Sequence, residues 1–233
     1  MSNAILLLWD IDGTLITSGN AGMHALRSGL RAAFGIEGSL DDIDFSGRTD
    51  PWIIRRIFEK FDVPLTAENV QRCLDAYLAD LPAALINPRA VVLPGIRSLL
   101  TAAARRPHLT QGILTGNVKR GAQIKLRHHD LWNFFPFGAF ADDSEQRNEL
   151  GPHAVRRAAA HVGATFLPEA IWIIGDTPHD IACGRAIGAR TLAVATGGHS
   201  IVELTAHQPD AVLPDLSDHV AFWNIINRST PAT

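Results

Sequence analysis

The stretch LLLWDIDGTL, residues 6–15, carries an apolar run straight into two aspartates, Asp10 and Asp12, and then into Gly13 and Thr14. A short run that is apolar throughout and stops abruptly at polar residues suits a strand covered on both faces, as in a parallel sheet. Two carboxylates at the tip of such a strand need a reason. Like charges repel, and loss of water makes the repulsion costlier. In open α/β sheets, the carboxyl tips of the strands are also where ligand sites lie.

Outward from this stretch, similar β-rich runs recur at 111–114, 137–140, 171–174, 191–194 and 211–213. Helical patterns fall between them. Residues 95–105 offer Ile96, Leu99, Leu100 and Ala103 on one face, 152–161 is rich in Ala and Arg, and 180–187 stops at Gly188. A glycine there suits a helix C-terminus. Strands alternating with helices predict an α/β fold with a doubly wound parallel sheet. One region breaks the alternation. Residues 23–34, 51–61 and 67–81 carry helical periodicity, 39–44 reads as a helix or turn, and no strand stands out. Pro88 and Pro94 mark the return to the main pattern. The spacing therefore predicts a small α-helical domain, residues 18–90, inserted into a core made of residues 1–17 and 91–233. The polar tail from Asn227 is expected to fray.

Composition narrows the function classes. Of 233 residues, 46% are apolar, which suits a packed fold. No apolar run approaches the roughly 18–20 residues of a membrane span. The run at 5–8 has no basic residue before it and acids soon after, so it does not read as a signal peptide. Cys73 and Cys183 are too few for a disulfide scaffold and read as free thiols, which points to the cytoplasm. The net charge of −3 and the lack of any Lys/Arg-dense stretch argue against nucleic acid or an anionic membrane as main partner. No apolar stripe marks an interface, so a monomer or weak homodimer is expected.

Three polar clusters sit at predicted strand ends: Asp10-Ile11-Asp12-Gly13-Thr14, Thr115-Gly116-Asn117, and Gly175-Asp176-Thr177-Pro178-His179-Asp180. If the strands are neighbours, the clusters converge on one crevice. Singly, each is an ordinary N-cap, Asx turn or glycine turn. Together they describe a metal and phosphate site. A hard divalent cation relieves the repulsion, and Mg²⁺ typically takes a few carboxylates, waters and phosphate oxygens. Asp10 and Asp176 are the ligand candidates. A carboxylate with a free oxygen can act as nucleophile, and one two residues on can move the proton. Gly13 permits a tight turn whose free N–H groups can hold phosphate oxygens. Thr115 and Asn117 offer a hydroxyl and an amide for the same oxygens.

In this order the motifs D-x-D-G-T, T-G-N and G-D-T-x-x-D resemble the haloacid dehalogenase-like superfamily, most closely its phosphoglycolate phosphatase-like branch. The resemblance runs from about Ile5 to Leu213, and the inserted helices are similar to that branch's cap. It implies a Mg²⁺-dependent phosphatase acting on small phosphorylated metabolites such as phosphoglycolate or sugar phosphates. Asp10 would be the nucleophile and a metal ligand. Asp12 would be the general acid/base, with its backbone carbonyl on the metal. Thr115 would bind the transferring phosphoryl group, helped by Gly13, Gly116 and Asn117. Asp176 would ligate the metal, and Asp180 would support the metal shell or hold a cationic side chain. A phosphomutase of the same superfamily would use the same residues, and a non-catalytic phosphate-binding module would keep the same fold.

The family pattern calls for a lysine or arginine after the middle strand. Arg147 is the candidate here, with Lys119, Arg156 and Arg157 as alternatives. The bland reading of Arg147 is a surface arginine paired with Glu145 or Glu149. In the cap, Asp50 fits an N-cap ahead of Pro51, and Arg48 is placed to reach an anionic or hydroxylated part of the substrate. Gly19 to Met23 lies where a cap hinge would fall. None of the histidines needs a catalytic role, and His179 reads as a loop residue.

Overall fold

The computed structural model describes residues 4–227, so the tail expected to fray beyond Asn227 lies outside the described residues. In chain order the elements are β1 (Ile5–Trp9), β2 (Ile16–Ser18), α1 (Ala21–Phe34), α2 (Asp50–Lys60), α3 (Ala67–Ala84), β3 (Ala90–Val92), α4 (Ile96–Ala104), β4 (Leu109–Leu114), α5 (Lys119–His128), β5 (Gly138–Ala139), α6 (Leu150–Val162), β6 (Ile171–Gly175), α7 (Pro178–Ala186), β7 (Arg190–Val194), α8 (Ile201–Ala206), β8 (Ala211–Leu213) and α9 (His219–Asn227).

The main sheet has the order β5-β4-β1-β6-β7-β8, with every neighbouring pair parallel. All five residues of β1 are buried, and alternate ones go to opposite faces. Ile5, Leu7 and Trp9 pack with Leu99 and Leu100 of α4 and Phe222 of α9. Leu6 and Leu8 pack with Leu150, Ala154 and Ala158 of α6. A two-residue side-chain period, apolar on both phases, requires cover on both sides of the sheet. The chain steps from β1 outward to β4 and β5, then returns to lay β6 on β1's other flank. The tips of β4, β1 and β6 therefore stand side by side, and the order reverses there, which is where such sheets open a crevice.

Helices α1–α3 form a cap with their own apolar cluster, including Leu26, Leu30, Ile54, Ile57, Phe58, Tyr77 and Leu81. Its two ends are joined by an antiparallel pair that places Ile16 opposite Val92 and Ser18 opposite Ala90. The sequence pattern had suggested no strand there. Three-residue strands are too short to show a period, and this pair is fixed by its two chain ends meeting. Of the two readings for residues 39–44, helix or turn, the structure has the turn, with the Ile43 N–H bonded to the Leu40 carbonyl. One other expectation changes: helix α3 passes its expected end at 81 and runs through Pro82 to Ala84. No helix among the described residues is long and apolar enough to cross a membrane.

Trp9, at the tip of the central strand, stacks on Phe222 with ring centroids 5.8 Å apart and planes 17° apart. Both rings are fully buried. Phe222→Ala should therefore lower stability by about 3–5 kcal/mol, read as a drop in the urea midpoint with unchanged slope. A loss under about 1 kcal/mol would show that α9 is not needed to close this face.

Candidate active site

The loop after β1 is built to turn sharply and offer its side chains upward. The Asp10 N–H still bonds the Ile174 carbonyl as though the strand continued, at 2.9 Å. Gly13 then takes φ +80°, and a Cβ there would lie 2.3 Å from Asp176 Oδ2. Only glycine meets both demands. Thr14 donates its hydroxyl to Asp176 Oδ1 at 3.0 Å. Helix α7 starts with a capping box in which Thr177 and Asp180 bond each other's backbone N–H. The start of α7 thus holds Asp180 beside the tip of β1, and His179 is in its first turn rather than in a loop.

The carboxylates of Asp10, Asp176 and Asp180 come within 4.8 Å of one another, all buried. Arg147, from the short turn ahead of α6, is buried among them. Its Nη2 lies 3.0 Å from Asp10 Oδ1 and forms an ion pair with Asp180 as well. Nη1 donates to the Gly47 carbonyl of the cap at 3.1 Å. The surface pairings weighed for Arg147 do not form. Glu145 is gripped by Arg55, and Glu149 accepts from Ser144. Of the alternative cations, Arg157 pairs with Asp143, Arg156 contacts His153, and Lys119 donates its backbone N–H to Asp142.

One guanidinium does not balance three carboxylates. Burial pushes Asp10 up to about 7; Arg147 pulls it down, while Asp180 and Asp12 push it further up. Burial also holds Asp176 well above the usual carboxylate range, with Asp10 and Asp180 adding to the shift. The space beside Asp176 is kept open by glycines, since a Cβ on Gly197 would fall 1.8 Å from Asp176 Oδ2. Hard oxygen donors, an excess of buried negative charge and an open approach fit a small divalent cation.

Asp12 faces elsewhere. Its Oδ2 accepts from Asn117 Nδ2 at 2.9 Å and from Lys125 Nζ at 2.6 Å. Burial would raise its pKa, but the charge and hydrogen bond of Lys125 and the bond from Asn117 outweigh that and lower it. Asn117 also donates to Thr115 Oγ1 at 3.0 Å and accepts from Lys125 through Oδ1 at 2.6 Å. The sequence reading missed Lys125. The signal was there: Gly121 and Lys125 are four apart, so a helix beginning near 119 puts them on one face, below the loop that carries Asn117.

The cap is seated on this crevice. The Asp50 N–H bonds the Gly116 carbonyl and the Asp50 carboxylate accepts the Val118 N–H, each at 2.8 Å. Arg55 grips Glu145 with two bonds of 2.6 Å. Gly116 lets the cap backbone pass, because a Cβ there would lie 2.2 Å from the Arg48 carbonyl oxygen. Asp50 is not the N-cap of α2. Thr49 is, accepting the Trp52 N–H, and Asp50 is thereby free to tie cap to core. Burial pushes the Asp50 carboxyl up to about 6, against the pull of Lys125. The Arg48 guanidinium lies over the Trp52 ring at 4.2 Å, with Asp44 3.6 Å away.

Between cap and core is a cavity of about 250 Å³. Asp10, Asp12, Thr115, Asn117, Arg147 and Arg48 are among its lining residues. The cap side adds Met23, Leu26, Phe45, Ile53, Ile54 and Tyr77.

The chain is 25% identical over 230 residues to pyrophosphatase PpaX of Anoxybacillus flavithermus, covering 97% of this chain and 100% of that protein. In fold it is similar to a hydrolase from Pseudomonas syringae (22% identity, TM-score 0.74, covering 95% of this chain and 99% of that one). It is also similar to CbbY from Rhodobacter sphaeroides, solved in complex with phosphate (17% identity, TM-score 0.72, covering 92% and 96%). The family model for haloacid dehalogenase-like hydrolases matches residues 7–185, most of the sheet together with the inserted cap, and the chain belongs to that family.

Proposed function

We propose that the protein is a magnesium-dependent phosphatase that hydrolyses compact phosphomonoesters through a phosphoryl group carried on Asp10. One observation carries this reading. Two carboxylates on a single turn face different neighbours: Asp10 is set among Arg147, Asp176 and Asp180, and Asp12 is held by Lys125 and Asn117. Neighbours this different suit the two carboxylates to different contacts, Asp10 to the phosphoryl group and a cation, Asp12 to the ester oxygen.

Asp10 attacks phosphorus through a carboxylate oxygen, and the bond from phosphorus to the ester oxygen breaks. Asp12 gives that oxygen its proton, so the alcohol leaves neutral. A water then attacks the phosphorus carried on Asp10, Asp12 takes the water's proton, and inorganic phosphate departs. The proton taken in the second step is the one given in the first step of the next turnover. Arg147 holds Asp10 in line and faces the phosphoryl oxygens with a fixed charge. The Thr115 hydroxyl and the Gly116 N–H are the neutral donors for the same oxygens, whereas the expected help from Gly13 and Asn117 is taken up inside the fold: the Gly13 N–H bonds the Ile16 carbonyl, and Asn117 Nδ2 donates to Asp12 and Thr115. Asp10, Asp176 and the Asp12 carbonyl would hold the magnesium ion, which would neutralise phosphate charge and polarise its oxygens.

The cavity limits the substrate. About 250 Å³ under the seated cap leaves room for the phosphoryl group and a small alcohol. The cap walls are mainly apolar, with Arg48 the one cap cation among the described residues that line the cavity. A carbon-bodied leaving group fits these walls better than a second, doubly charged phosphate. The name pyrophosphatase borne by a relative makes inorganic pyrophosphate the comparison to run. All these groups come from one chain, so a monomer suffices, and two buried free thiols suit the cytoplasm.

Phosphate release from a panel of small phosphomonoesters and from pyrophosphate should require Mg²⁺ and vanish with chelator. It should fall at least about a thousandfold in Asp10→Asn, because the nucleophile is gone. Full turnover in that variant would refute the reading. Arg147→Ala should lower turnover by about a hundredfold or more, whereas a loss of a few fold would assign charge neutralisation to another residue. The cation's effect on stability should depend on pH. Asp10 titrates near 7 when folded against 3.8 ordinarily, so its contribution to the metal-free fold is lost as pH rises through that interval. A cation must displace that proton to bind. The Mg²⁺-induced rise in Tm should therefore be larger at about pH 8 than at about pH 6. An equal or smaller rise at the higher pH would contradict it.

A further inference from the structure

We propose that Lys125 is a positioning residue that holds the Asp12 carboxylate in the orientation from which it transfers the proton. The inference rests on the reading of Asp12 as the proton-transfer group. The mechanism above gives Lys125 no chemical step, yet the fold buries its ammonium at the cavity wall, with its side chain 6% exposed. Burying an ammonium is costly without partners. Here two of its N–H bonds go to the Asp12 carboxylate and the Asn117 side-chain carbonyl, both at 2.6 Å.

These bonds close a ring. Lys125 donates to Asp12 and to Asn117, and Asn117 donates to the same oxygen of Asp12. Asp12 Oδ2 thus takes two donors, while Oδ1 is buried with no hydrogen-bond partner. Two donors on one oxygen restrain the rotation of the Asp12 carboxylate. Asn117 is oriented in the process, so its bond to Thr115 Oγ1 links the ring to the phosphoryl side of the cavity.

The cap covers the ring when seated. A Cβ added at Gly22 of α1 would lie 3.8 Å from Lys125 Nζ and 3.9 Å from the Tyr77 hydroxyl of α3. Asp50, at the start of α2, and Tyr77 both act on the Lys125 charge. Lys125 therefore belongs to the core helix α5, and its ammonium lies beneath the cap, close to Gly22 of α1.

The test uses leaving groups of different need. An alkyl phosphate leaves as a strongly basic alkoxide and needs the proton. p-Nitrophenyl phosphate leaves as a stable phenolate and needs little help. Lys125→Met should lower kcat on the alkyl ester by about a hundredfold and on the aryl ester by less than about tenfold, with KM nearly unchanged. Lys125→Arg should recover part of the alkyl rate. Lys125→Gln, which keeps N–H donors but not the charge, serves if the methionine variant does not fold. Equal losses on both esters, a rise in KM in place of the kcat loss, or an unchanged alkyl rate would overturn the proposal. Asp12→Asn run in parallel separates the two layers. If it is not selective for the alkyl ester, the reading of Asp12 fails and takes this inference with it. If it is selective and the Lys125 variants are not, the inference alone fails.

Discussion

Three buried carboxylates around one guanidinium set the terms for the rest of the molecule. Asp10, Asp176 and Asp180 come from a strand tip, the loop after a second strand and the first turn of a helix. None would stay together as anions without compensation. Arg147 compensates part of the charge, its planar fork serving two carboxylates and a carbonyl at once. The remaining negative charge is what makes the site receptive to a divalent cation and, through it, to phosphate. The glycines at 13 and 197 follow from this constraint, since any side chain there would invade the space of Asp176.

The second constraint is division of labour along one turn. Asp10 and Asp12 are identical residues two positions apart. Burial among other acids pushes the first up to about 7, and the Lys125–Asn117 pair holds the second below the ordinary carboxylate range. The cap completes the division. Its polar bonds to the core through Asp50, Arg55 and the Gly47 carbonyl lie around the rim, while its apolar residues face inward. Val118 and Ala141 of the core pack into the cap's apolar cluster, so polar and apolar contacts together seat it. An apolar inner wall strengthens the charge contacts beneath it.

Much of this was legible in the sequence, and the reason is local. A strand buried on both faces announces itself by continuous apolarity, so β1, β6 and β7 were visible. Asp10, Asp12, Thr115, Asn117 and Asp176 stand at the ends of such runs, and parallel topology brings those ends together. The placement of Arg147 was readable only as a candidate, because its partners are remote in the chain. What escaped depends on tertiary context. The pair β2–β3 is too short to carry a period. Thr49 takes the cap of α2 in place of Asp50 because the core offers Asp50 the Val118 N–H instead. Lys125 lies in KRGAQIKLRH, a helix whose charged composition hides its one buried cation. Its one helical signal is the four-residue spacing from Gly121.

The central claim is that Asp10 carries the phosphoryl group, and chemical trapping tests it most directly. The enzyme would be quenched during turnover of a phosphomonoester with Mg²⁺, reduced with borohydride, digested and mapped by mass. An aspartyl-phosphate at position 10 would be reduced to homoserine, and the account predicts that change at Asp10 alone, dependent on both substrate and cation. An unmodified Asp10 in enzyme that is turning over, or modification at Asp12, Asp176 or Asp180 instead, would contradict it.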